Sequence, residues 1–330
     1  MSQTFRAFFL NKVDDYEINH QIKEIKFSDL MPGNVLVKVE YSSFNFKDGL
    51  AITGTLPIIK KYPMIPGVDF SGTVIESKHK KFRKDDPVIL NGWGVGEKHY
   101  GGFSQYARVN GDWLIKIPRK LDFEKSMIIG SAGYTSALCV LTIINKIKDK
   151  KNDEILVTGA SGGVGSIAIH LLAKLGYNVT ALSGKDQEYL SNLGAKQVLS
   201  RNDFKISKKP LQSEKWTAAI DTVGGDILST IISQIKYDGI VASTGLAKSH
   251  ELQTTVFPFI LRNITLAGVD CVYADYEKRV KAWEFIADNL DLQILDEIKT
   301  VKALDDLPKL AKSIMSGNIK GRTIINVNDI

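Results

Sequence analysis

The apolar segment 155–158 runs without interruption into a glycine-rich turn, 159–165 (GASGGVG), and then into a stretch where Val164, Ile167, Ala168, Leu171, Leu172 and Leu175 recur at helical spacing. A short strand that feeds a helix through glycines is the opening of a parallel α/β unit, since parallel neighbours need a crossover between them. Gly176 stands where a helix wants a left-handed residue at its end. The turn has a chemical meaning as well. A diphosphate needs several backbone N–H groups at close range, so the loop must be short of side chains, and the helix N-terminus adds partial positive charge. Gly162, Gly163 and Gly165 meet that need. Gly159, Gly162 and Gly165 do not follow the standard G-x-G-x-x-G spacing, so the strand before and the helix after carry the inference.

Further strands are expected at 179–182, 197–199, 216–220, 239–243 and 264–269, with helical patterns between most of them. Such alternation predicts a doubly wound parallel sheet with helices on both faces. The first 125 residues read differently. Val35, Val37, Val39 and Tyr41 alternate with Leu36, Lys38 and Glu40, and short runs at 72–76 and 88–90 are separated by turn signals at Pro66-Gly67, Asp86-Pro87 and Gly101-Gly102. This predicts a small, barrel-like β domain. A chain of 330 residues has room for about two domains, and 44% hydrophobic with 24% charged residues excludes a fibre, a disordered chain or a disulfide-stapled mini-protein.

The end of the second strand selects the nucleotide. An NAD site places Asp or Glu there, about 20 residues past the glycines, to hold the ribose 2′-hydroxyl. Here stand Ser183, Gly184 and Lys185, and Arg201 follows the third strand. A hydroxyl and two cations suit a 2′-phosphate, and two charge-assisted hydrogen bonds of about 1.5–3 kcal/mol each favour NADPH by two or more orders of magnitude.

Other classes are disfavoured. Cys139 and Cys271 are the only cysteines, and His20, His79, His99, His170 and His250 show no metal-ligand spacing. No Ser-His-Asp or Cys-His arrangement can be inferred. Gln3, Thr4 and Arg6 interrupt the apolar run that a signal peptide needs, so an intracellular, reducing, cytoplasmic address is expected. Segment 126–145 carries no charge and is long enough for a bilayer, but Ser126, Gly130, Ser131, Gly133, Tyr134, Thr135, Ser136 and Thr142 dilute it. It is read as a buried helix at a domain junction, with no membrane partner. The net charge of +6 favours anionic ligands. The lysine-rich runs 78–84, 146–151 and 205–209 read as solvated loops, and without a nucleic-acid motif no nucleic-acid partner is expected.

Taken together, the motifs amount to a resemblance. The chain resembles zinc-free medium-chain dehydrogenase/reductases of the quinone-oxidoreductase-like branch, in the YhdH/YhfP-type group that holds NADPH-dependent acrylyl-CoA reductases. The matching segments are 42–48 (SSFNFKD), 51–54, 63–74 (PMIPGVDFSGTV), 92–97 (GWGVGE), 111–113, 159–165, 219–224 (AIDTVG), 255–263 and 321–323. Where zinc alcohol dehydrogenases carry Gly-His-Glu, this chain has Gly67-Val68-Asp69. The resemblance implies a GroES-like substrate domain from residues 1–125 and 271–330, a Rossmann domain from 126–270, and an active site in the cleft. It implies cofactor contacts at Phe46, Ser161, Gly162, Gly163, Val164, Ser183, Gly184, Lys185, Arg201, Leu246, Ile260, Cys271 and Asn318, and a homodimer. Asn45 and Asp48 are the candidates for orienting substrate or ribose. Three positions depart from the group, which usually has Tyr at Phe46, Ser at Cys271 and Arg at Lys185; phenylalanine has no proton to give. The expected reaction is conjugate reduction of an α,β-unsaturated thioester or carbonyl (an enoyl-CoA or enone) by NADPH. Quinone reduction is the alternative, and a non-catalytic NADPH-binding regulator is the alternative of another class.

Overall fold

The computed structural model describes residues 4–13, 18–147, 153–184 and 187–329. The chain divides into two units, one of residues 132–270 with 281–291 and one of residues 1–131, 271–280 and 292–330.

The first of these holds a six-stranded sheet in the order Gln197–Ser200, Asn178–Ser183, Glu154–Thr158, Trp216–Asp221, Ile235–Ser243, Thr265–Gly268. Every neighbouring pair is parallel. Strands covered on both faces are apolar throughout rather than alternating; Ile155, Leu156 and Val157 are accordingly all fully buried. The chain winds outward from Glu154–Thr158 to Gln197–Ser200, then returns to continue on the other side at Trp216–Asp221. That reversal opens a crevice at the strands' carboxyl ends, where open α/β sheets bind ligands. The helix Gly163–Lys174 buries Ile167, Ala168, Leu171 and Leu172, the stripe its spacing predicts, and Gly176 takes φ 88° at its end. The observed strands match the expected ones within a residue or two, except that the fifth begins four residues early, at Ile235.

In the other unit a seven-stranded sheet runs Lys299–Lys302, Arg322–Asn326, Val35–Phe44, Asp69–Ser77, Pro87–Asn91, Leu114–Lys116, with Tyr106–Val109 also paired to Val35–Phe44. Val35, Val37 and Val39 point into the core as their alternation requires. Phe44 and Phe103 stack there with ring centroids 6.4 Å apart. The hairpin of Thr4–Lys12 with Ile18–Lys26 and the helices Phe46–Thr53 and Leu307–Met315 had no counterpart in the sequence reading. The two helices pack together, and a side chain at Gly49 would run into Ile314.

The helix Phe123–Ile147 is, among the described residues, the one long and apolar enough to cross a membrane, yet it is a core helix, with Met127, Ile128, Ile129, Tyr134, Ala137, Val140 and Ile143 buried. Gly130, at φ 51° and ψ −160°, interrupts it. Two stretches lie elsewhere than the expected domain boundaries put them. Residues 126–131 belong with the β-rich unit, because Ile128 O accepts from Arg322 and Ser131 N–H donates to Asp69. Residues 281–291 belong with the parallel sheet, because Trp283 stacks on Tyr134 and Asp291 meets Lys174 and His170.

At Gly165 the helix packs against the turn that feeds it, and a Cβ there would stand 2.5 Å from Gly159 O and 2.7 Å from Ala160 Cα. Backbone cannot yield as a side-chain tip can. Gly165→Ala is expected to destabilise the protein by about 1–3 kcal/mol, the usual range for overpacking, seen as a lower urea midpoint with unchanged slope; an unchanged midpoint would contradict the close packing.

Candidate active site

Gly159 leaves its strand at φ 56°, and Gly162 N–H returns to Gly159 O at 2.9 Å, closing the turn. Gly162 is the N-cap of Gly163–Lys174 and brings no side chain to the first-turn N–H groups. These are left to face whatever lies at the sheet's carboxyl end, with the helix dipole behind them. Ser161, Gly162, Gly163 and Val164 are all in this turn. Ser183, last residue of its strand, donates from Oγ to Ser161 Oγ at 3.2 Å. Arg201 N–H donates to Ser183 O at 2.9 Å, and its guanidinium passes over Gly184, with Nη2 2.7 Å from where a Cβ would be. The structure therefore gathers Ser161, Ser183, Gly184 and Arg201. Lys185 lies outside the described residues. Among the described residues Arg201 makes no ion pair, so its charge is available to an anion. Leu246, 49% exposed, sits in the loop after Ile235–Ser243, and Ile260, 68% exposed, in the short helix Phe257–Arg262.

Asp221 ends the strand Trp216–Asp221 fully buried, its carboxylate accepting from Thr158 Oγ1 at 2.7 Å and Gly224 N–H at 2.8 Å. Burial pushes its pKa up, and these hydrogen bonds pull against that rise. The sequence reading flagged it only as part of the 219–224 segment, although an acid closing an apolar strand is a visible signal.

In the β-rich unit, Asn45 caps the helix Phe46–Thr53 and Phe46 is its first residue. Asn45 N–H donates to Asp48 Oδ2 at 2.8 Å, while Asn45 Nδ2 donates to Ser43 Oγ at 3.0 Å and to Asp69 Oδ2 at 3.4 Å. Arg322 Nη1 donates to Asn45 Oδ1 at 3.3 Å. Asp69 is fully buried and also accepts from Ser43 N–H, Ser43 Oγ and Ser131 N–H. Asn45 and Asp48 are thus brought together with Asp69 and Arg322, which the sequence reading flagged only as parts of motifs. Asp48 is 1% exposed and its Oδ1 has no hydrogen-bond partner. Burial first, and the Asp69 charge second, push its pKa up to about 7. Cys271 lies elsewhere in this unit, its carbonyl beside Gly92. Asn318 follows Leu307–Met315 and donates its N–H to Ser313 O at 2.8 Å.

Among the described residues no group of three or more His, Cys, Asp or Glu side chains could hold a metal. Asp69, at the position of a zinc-enzyme Gly-His-Glu, has both oxygens engaged by N–H and O–H donors, a donor set that does not fit zinc.

Residues 163–288 match the family model described as zinc-binding dehydrogenase, and residues 31–119 match the alcohol dehydrogenase GroES-like domain. The acrylyl-CoA reductase AcuI of Ruegeria pomeroyi is 42% identical over 98% of this chain and 99% of its own. Among solved structures, Escherichia coli K-12 YhdH with bound NADPH is 45% identical, covers 98% of this chain and 100% of its own, and has a TM-score of 0.95. The Bacillus subtilis protein yhfP with NAD bound is 38% identical over 99% and 100%, with a TM-score of 0.94.

A folded-state pKa near 7 on Asp48 fixes the sign of its pH dependence. The unfolded chain releases this proton near pH 4 and the folded chain near 7, so the contribution of Asp48 to stability is full below 4 and is lost as pH rises to 7. The loss is at most about 4 kcal/mol. Asp48→Asn keeps an acceptor for Asn45 N–H without the charge. It is expected to raise the urea midpoint at pH 8 and to flatten its change between pH 5 and 8; an equal fall at both pH values would contradict this assignment.

Proposed function

The chain belongs to the medium-chain dehydrogenase/reductase family, in the group of the acrylyl-CoA reductases and YhdH/YhfP-type proteins, and we propose that it reduces the C=C bond of an α,β-unsaturated thioester, acrylyl-CoA foremost, with NADPH. The observation that carries the cofactor half of this reading is the grouping of Ser161, Ser183 and Arg201 around Gly184 at the carboxyl end of the parallel sheet. When bound there, NADPH supplies hydride to the electrophilic carbon of the substrate. The open N–H groups at the start of Gly163–Lys174 would hold its diphosphate, and the Ser183 hydroxyl and Arg201 guanidinium its 2′-phosphate. A carboxylate at that strand end would repel the phosphate, and Ser183 and Gly184 bring none. Leu246, Ile260, Phe46, Cys271 and Asn318 complete the proposed contacts. The acyl half rests on the likeness to the Ruegeria reductase.

Asn45 and Asp48 act in this reading as positioning residues. They tie the start of Phe46–Thr53 to Asp69 and Arg322, and so set where Phe46 stands. Phe46 offers no proton, so the proton that completes the reduction comes from elsewhere, and its ring can only shape and dry the site.

A homodimer is part of the proposal. Thr265–Gly268 is the terminal strand of its sheet, and the exposed side chains of Val256, Phe257 and Leu261 lie next to it in sequence, an edge and an apolar surface that a second copy would cover. Among the described residues neither Cys139 nor Cys271 is in a disulfide, in keeping with a cytoplasmic enzyme.

Two measurements test the reading. With NADPH held constant, kcat/KM for acrylyl-CoA is expected to exceed that for enones and soluble quinones; a quinone turned over fastest would move the chain to quinone reduction, and binding without consumption of any acceptor would make it a non-catalytic NADPH-binding regulator. Arg201→Ala is expected to weaken NADPH by about tenfold or more while leaving NADH within about twofold, the effect of one charge-assisted hydrogen bond; equal affinity of wild type for NADH and NADPH would remove the 2′-phosphate pocket.

A further inference from the structure

Thr158 is the last residue of its strand and stands immediately before Gly159. Backbone register between this strand and Trp216–Asp221 ends at Val157 opposite Ile220. Past that point the two chain segments are held by side chains. Thr158 Oγ1 donates to Asp221 Oδ1 at 2.7 Å and accepts from Thr222 N–H at 3.0 Å, while Thr158 O accepts from Thr222 Oγ1 at 3.1 Å. The Thr222 hydroxyl occupies the space where a Gly159 side chain would go. A glycine there is needed both for its positive φ and to admit this hydroxyl.

Asp221 extends the connection the other way. Its second oxygen accepts from Gly224 N–H at 2.8 Å and its carbonyl from Thr244 N–H at 2.9 Å. Thr222 O and Val223 O then accept from Ala247 N–H at 3.3 Å and Lys248 N–H at 2.9 Å. The glycine turn on one side and the loop carrying Leu246 on the other are both tied to the same pair of residues.

A fully buried carboxylate bonded to a hydroxyl and to backbone amides, with no ion pair among the described residues, is an expensive way to gain stability, because its charge is desolvated. It does offer two acceptor oxygens in fixed directions. An Asn could present only one to Thr158 O–H and Gly224 N–H together.

We propose that Thr158 and Asp221 are positioning residues for NADPH, holding the diphosphate-binding turn and the Leu246 loop at the separation the nucleotide needs; this rests on the reading of the chain as NADPH-dependent. Neither side chain need touch the cofactor. Removing the Thr158 hydroxyl frees the turn, leaves Asp221 Oδ1 and Thr222 N–H without partners, and weakens nucleotide binding with little effect on the chemical step.

The test uses the full-length enzyme, with Kd for NADPH from fluorescence titration, KM for NADPH and kcat with acrylyl-CoA, and Tm. Thr158→Val is expected to raise Kd and KM for NADPH about tenfold, the equivalent of about one hydrogen bond, with kcat at saturating NADPH within about threefold. Thr158→Ser, which keeps the hydroxyl, is expected to stay within about twofold of wild type on all of these. Thr222→Val, at a less buried position, is expected to raise Kd a few-fold and Thr222→Ser to restore it, and this pair carries the test if Thr158→Val does not fold. Wild-type affinity in Thr158→Val or Thr222→Val with only a lower Tm overturns the proposal, as does a Thr158→Ser as weak as Thr158→Val. A wild type that binds no NADPH overturns the functional reading itself, which a loss confined to the variants does not.

Discussion

The candidate site depends on how near a helix can come to a strand. Gly165 lets Gly163–Lys174 start within 2.5 Å, measured from an imagined Cβ, of Gly159 O. Any side chain there would push the helix off the sheet and carry the open N–H groups of its first turn away from the carboxyl ends of the strands. The positive φ of Gly159 and the Gly162 N-cap serve the same end, since each brings backbone where a side chain would stand. A dipole effect that fades beyond the first turn is useful only if that turn is placed closely.

A second principle recurs in both units: the hydrogen bonds to buried carboxylates come from hydroxyls, a side-chain amide and backbone N–H groups. Asp221 is held by Thr158 and Gly224, and Asp69 by Ser43, Ser131 and Asn45. Asp48 departs from this. One of its oxygens has no partner, and its pKa rises to about 7 because burial, with the Asp69 charge second, outweighs the hydrogen bonds from Asn45 and Val68. Directional hydrogen bonds to a fixed acceptor locate loops more narrowly than a flexible ion pair would, which suits elements that must present a turn or a helix start to a ligand.

The parallel sheet was legible because its signals are local. Strands covered on both faces are apolar throughout, so 155–158 and 216–220 announce themselves, and the stripe Ile167, Ala168, Leu171, Leu172 has one helical explanation. The β-rich unit was only half legible. Val35, Val37 and Val39 alternate along their strand, but the partners the strand finds at Arg322–Asn326 are almost 300 residues along the chain, and no local pattern encodes such a pairing. The helix Phe46–Thr53 escaped notice because its start depends on Asn45 and Asp48 folding back on one another, which eight residues of mixed character do not advertise.

By itself the sequence determined the glycine turn, the succession of strands beside it and the placing of a hydroxyl and a cation, Ser183 and Arg201, at the ends of the second and third strands, since each follows from residue type and spacing along the chain. Only tertiary structure decided that Thr158 and Asp221 would meet, that Asp69 would collect donors from residues 43, 45 and 131, and that Arg322 would reach Asn45. The physical reason is one of range. Backbone propensity and periodicity act over a few residues, whereas a buried hydrogen bond between distant residues exists only after the core has excluded water and brought their backbones into register.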